Sequence, residues 1–96
     1  MIPVGFMFLQ CAEGVEDSIL PQIKSVTGVA YAYKLEGNYD IVVKIESDSI
    51  EQFTYAIAAI RKVPSILNTD TIVGFKWEQL AGAARLNQVQ LYFIMR

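Results

Sequence analysis

The hydrophobic period along this chain switches from two residues to about 3.6 and back, twice, and this alternation constrains the fold more than any single residue does. Val4, Phe6 and Phe8 alternate with Gly5, Met7 and Leu9, a strand that is apolar on both faces and has to be covered twice. After Gly14 the stretch "VEDSILPQIKSV" carries Ile19, Ile23 and Val26 at helical spacing. With Asp17 or Ser18 as the N-cap, Pro21 falls in the first turn, where its missing N–H has no intrahelical partner to lose. Gly28 is the stop of that helix. Residues 29–36 return to period two, Gly37-Asn38 is a candidate two-residue hairpin turn, and residues 39–46 form the returning strand. Then comes "SDSIEQFTYAIAAIRKV", with an apolar stripe of Ile50, Phe53, Ile57 and Ile60. Its start is capped by Asp48 with Glu51 or by Ser49 with Gln52, and Pro64 closes it. Residues 66–77 form a last long strand.

Strand, helix, strand, strand, helix, strand is the order of an α+β, ferredoxin-like βαββαβ sandwich, two helices on one face of a four-stranded antiparallel sheet. The helices cover only one face, yet several strands carry bulky apolar or aromatic residues on both. Two such sheets stacked face to face would bury the surplus, which predicts a homodimer of dimeric α/β-barrel type. Residues 1–76 make up this domain. Residues 77–96 are a C-terminal extension: Trp77, Leu80 and Ala84 share a helical face, and from Val89 onward the period is two again. That extension either packs on its own domain as an edge strand or serves as an arm exchanged with a neighbouring subunit.

Composition narrows the functions. The chain has 96 residues, 53% of them hydrophobic and 19% charged, which suits one domain. No apolar run approaches the roughly 20 residues of a membrane span, and no signal-peptide pattern opens the chain, so no membrane partner is expected. The single cysteine, Cys11, cannot form an internal disulfide, in keeping with a reducing cytoplasm. At a net charge of −2, with Lys and Arg scattered, there is no basic stripe for direct nucleic-acid binding. The lack of any histidine removes the commonest general base and metal ligand, so neither catalytic residues, a metal nor a cofactor are expected.

The residues from Thr27 to Phe75 resemble the effector-binding RAM domain of the Lrp/AsnC transcription regulators. The likeness rests on Gly28-Val29, the Gly-x-Tyr-Asp turn at residues 37–40, the "VVKIE" strand, the Arg61-Lys62-Val63-Pro64 helix end, and Thr69 with Thr71. Family regulators carry a helix-turn-helix ahead of the first strand. Only Met1 precedes it here, so the resemblance is to the effector half without a DNA reader. It implies dimers through the sheets, rings of dimers, and an amino-acid effector held between dimers. The candidate site is then Gly37, Asn38, Tyr39, Asp40, Thr69 and Thr71: Asp40 for the effector's ammonium, backbone amides at Gly37 and Asn38 for its carboxylate, hydroxyls from the threonines, and Tyr39 as a wall. Each of these also has an ordinary structural use in a turn or a strand.

The leading expectation is a non-enzymatic, amino-acid-binding oligomer that regulates amino-acid metabolism or transcription by ligand-dependent assembly, with a DNA-binding relative as a partner in mixed oligomers. The alternatives are a small dimeric α/β-barrel enzyme, of isomerase or cofactor-free monooxygenase type, and a structural adaptor working through its C-terminal arm.

Overall fold

The computed structural model describes residues 2–76 and 89–95. The elements are β1 (Ile2–Cys11), α1 (Glu16–Lys24), β2 (Val29–Lys34), β3 (Ile41–Glu46), α2 (Ile50–Arg61), β4 (Ile66–Lys76) and β5 (Val89–Met95). They build one antiparallel sheet in the order β2-β3-β1-β4-β5. Its first four strands are the ferredoxin-like arrangement, with β1 in the middle. β5 adds to the β4 edge of the same chain, in register from Lys76↔Val89 to Thr71↔Met95. The short helix expected from Trp77 lies outside the described residues.

Cross-strand register shows which residues share a face. Gly5, Met7 and Leu9 stand beside Ile45, Val43 and Ile41 on one side and Val73, Thr71 and Thr69 on the other, all pointing toward the helices. Met7, Leu9, Ile41, Val43 and Ile45 are fully buried there. Helix α1 contributes Ile19 and Ile23, and α2 contributes Phe53, Ala56, Ile57 and Ile60, each large apolar side chain worth roughly 1.5–3 kcal/mol on burial. Gly5 lets α2 come close. A Cβ there would lie 2.7 Å from Cζ of Phe53, inside any tolerable contact.

The opposite face carries Phe6, Phe8, Tyr31, Tyr33, Val42, Lys44, Asp70 and Ile72, and neither α1 nor α2 packs on it. Tyr31 and Tyr33 stack at 5.0 Å, and the Lys44 amine sits 5.9 Å from the Tyr31 ring centre and 6.0 Å from that of Phe6.

Two local expectations need correction. Helix α1 starts at Glu16, with Val15 at the N-cap and no side-chain cap, so Pro21 lies in the second turn and not the first. In place of a cap, Glu16 reaches back and its Oε1 accepts the Gly14 N–H at 3.2 Å, an acidic group at the positive end of the helix. The β2–β3 connection spans residues 35–40 and is longer than a two-residue hairpin. Asp40 donates its N–H to the Leu9 carbonyl at 2.8 Å, leaving the β2 ladder for β1. At α2, Ser49 is the cap, its Oγ accepting the Gln52 N–H at 3.2 Å.

Candidate functional site

The connection 35–40 is fastened at several points. Gly37 has φ +113, in the left-handed region that favours glycine. The Leu35 N–H donates to the Asp40 carbonyl at 2.8 Å and closes the loop on itself. Two further bonds anchor it to β1: the Cys11 N–H donates to Asp40 Oδ2 at 2.9 Å, and Gln10 Nε2 donates to the Asn38 carbonyl at 2.7 Å. Gln10 Oε1 in turn accepts from Asn68 Nδ2 at 3.1 Å, extending the link to β4. Tyr39 lies across the open sheet face, its hydroxyl hydrogen-bonded to Asp70 Oδ2 and its ring 5.6 Å from that of Phe8.

Beside this turn, Glu16, Lys34, Leu35, Glu36 and Asp40 line an open cleft of about 320 Å³. Lys34 pairs with Asp17 at 2.9 Å on the surface, and that bond holds its pKa above the usual lysine value. Just beneath, burial pushes the Cys11 thiol up to about 11, reinforced by the charges of Asp40 and Glu16. The Cys11 Sγ donates to Glu16 Oε1 at 3.7 Å. Among the described residues no group of His, Cys, Asp and Glu is placed to hold a metal ion.

The six residues singled out in the sequence do not line one cavity within a chain. Asp40 borders the cleft, Gly37 and Asn38 are exposed at the tip, and Tyr39 points to the open face. Thr69 and Thr71 are on the helix face of β4; Thr71 is fully buried, and its Oγ1 accepts from Arg61 Nη2 at 3.5 Å. Asp40 and Thr69 sit on opposite flanks of Leu9, two strand spacings or roughly 10 Å apart. Sequence reasoning missed Asp70, Gln10 and Arg61 as partners of these residues. Period two put Asp70 and Thr69 on opposite faces, but only the register assigns Asp70 to the face that Tyr39 covers.

No protein-family model matches the chain, and no curated protein matches it by sequence. Solved structures do match. Escherichia coli AsnC superposes with a TM-score of 0.66 at 25% identity, over 74% of this chain and 49% of that one. FFRP-DM1 superposes with a TM-score of 0.70 at 30% identity, over 78% of this chain and its own entire length. The chain belongs to the Lrp/AsnC family. It is the RAM, or effector-binding, domain of that family, and spans about half the length of AsnC. A transcriptional regulator from Neisseria meningitidis, NMB0573, solved as its L-Met complex, shares the RAM fold at 10% identity and a TM-score of 0.65, over 88% of this chain and 57% of that one. Among the described residues of this RAM domain, no helix is long and apolar enough to cross a membrane.

Proposed function

We propose that this RAM domain binds a free amino acid and converts its presence into assembly, regulating amino-acid metabolism or transcription. The observation that carries this reading is the placement of Asp40: one carboxylate oxygen is taken by the Cys11 N–H, and the side chain borders an open cleft. A carboxylate fixed in that way meets an ammonium without having to be ordered first. The carboxylate of the ligand would take backbone amides at the exposed tip, Gly37 and Asn38.

Because Thr69 and Thr71 are on the far side of β1 from Asp40, a complete site draws on more than one chain. Dimers form through the open sheet faces, and the effector sits between dimers. Binding at such a seam shifts the association equilibrium by its preference for the assembled state. The neisserial relative with L-Met bound supports an amino acid as the ligand class for this fold. A DNA-binding member of the family, sharing the same RAM surface, is the natural heterologous partner.

The test is thermal stability measured against each of the twenty amino acids at millimolar concentration, with sedimentation mass recorded in parallel. At least one amino acid raises the midpoint and the mass together. Asp40→Asn retains an acceptor for the Cys11 N–H, so the unliganded midpoint stays within about 0.5 kcal/mol of wild type while the response disappears. A panel with no shift for any amino acid would sink the effector reading. An unchanged response in Asp40→Asn would remove Asp40 from the site.

A further inference from the structure

A second cavity, of about 230 Å³, lies between α2 and β4, away from the Asp40 cleft. Its walls are apolar, with Phe53 and Ile57 from the helix and Val73 and Phe75 from the strand, and Arg61 stands at one end. Phe53 is drawn down onto β1 at Gly5, and the cavity is what remains between the helix and the end of β4.

Arg61 is the informative group. Its bond to Thr71 is long, 3.5 Å, and employs one of five guanidinium N–H donors. Both ion pairs among the described residues lie elsewhere, Lys34 with Asp17 and Lys44 with Glu46, so no described carboxylate is paired with it. Among the described residues no acidic side chain lines the cavity.

The geometry points to a binding site for a small apolar monocarboxylate, a short branched-chain or aromatic acid, with Arg61 taking the carboxylate and the apolar walls taking the tail. A guanidinium fork matches a carboxylate in shape and charge. The volume is below the roughly 300–1,000 Å³ of drug-sized sites, which restricts the ligand to a small one. A zwitterionic amino acid is disfavoured, because its ammonium, one carbon from the carboxylate, would lie beside the like charge of Arg61 with no described carboxylate of the lining to meet it. The selectivity is therefore opposite to that at Asp40, and the two sites are separable by mutation.

The experiment is titration of the intact protein with 3-phenylpropionate and 4-methylvalerate, followed by amide chemical shifts. The neutral amides of both acids and the zwitterions phenylalanine and leucine serve as comparisons. The acids are expected to saturate in the millimolar range, shifting Ile57, Arg61 and Val73, with the amides and zwitterions at least tenfold weaker. Arg61→Gln weakens the acids at least tenfold and leaves the amides unchanged, Arg61→Lys retains most of the binding, and Ala58→Trp blocks it. Asp40→Asn has no effect here, so loss of the amino-acid response and loss of acid binding are read independently. Equal binding of acid and amide to the wild-type protein would overturn the proposal. So would acid binding that survives in Arg61→Gln, or no saturation at tens of millimolar. A concentration-dependent rise in mass abolished by Ala58→Trp, without acid binding, would assign the cavity to a second copy of the chain and overturn it too.

Discussion

Cys11 shows how far one residue's chemistry is set by neighbours that its sequence position does not reveal. It ends β1, is 7% exposed, and has the carboxylates of Asp40 and Glu16 beside it. A thiol is neutral when protonated, so a folded-state pKa of about 11 against an ordinary 9.0 means the folded chain keeps its proton longer than the unfolded one. The stability this contributes is intact below about pH 9 and is lost as pH rises toward 11. Urea midpoints of wild type and Cys11→Ala therefore converge or cross over that window. At pH 8 alkylation by iodoacetamide is expected to run at least tenfold slower than for a free thiol, since the thiolate is the reactive form. The contacts of Asp40 are likewise made with residues distant in sequence. That a Tyr-Asp pair after Gly-Asn exceeds the needs of a turn is legible in the sequence. That Asp40 would hold Cys11 and Tyr39 would reach Asp70 is not, because both are tertiary contacts across about 30 positions.

Among the elements, α2 and β1 were readable from periodicity and caps because local propensity and burial agree in them. Ser49 caps with Gln52, and the stripe of Phe53, Ile57 and Ile60 faces the sheet. Helix α1 was displaced by part of a turn because a Glu16 side chain, reaching back to Gly14, replaces the cap that Asp17 or Ser18 would have supplied. The helix tolerates Pro21 in its second turn, so the proline did not mark its start. Period two likewise says which residues share a face but not which strands are neighbours; Thr69 and Thr71 were grouped with Asp40 by the family resemblance, and the register puts β1 between them within one chain. The junction of α2 with β1 yields a direct test. Gly5→Ala places a methyl against Phe53 and is expected to lower stability by about 1–3 kcal/mol in urea denaturation. Phe53→Leu removes the obstructing ring atoms, so the double variant should be more stable than the two single losses predict. Strict additivity would mean that the ring moves aside freely and that Gly5 is dispensable.

For the whole molecule, the aromatic face is the surface through which the proposed dimer would form. Phe6→Glu is the sharpest probe, because Lys44 already lies over that ring and would compensate a lone carboxylate in the monomer. In a face-to-face dimer two introduced carboxylates are buried near one another, so association should weaken by far more than folding does. The expected result is at least a hundredfold weaker dimerisation by sedimentation equilibrium with an unchanged circular dichroism spectrum. A wild-type protein that is monomeric at every concentration would remove the dimer itself. The sheet order has one more consequence, for the chain as it is made. β1 is translated first, yet its partners are β3 and β4. At about 5–20 residues per second, the 65 residues separating Cys11 from Lys76 take on the order of 3–13 s to appear. Over about the first half of that interval β1 has neither neighbour and over the rest it has only β3, so the nascent chain is the stage most exposed to chaperone capture, and this sheet closes only once β4 has been synthesised.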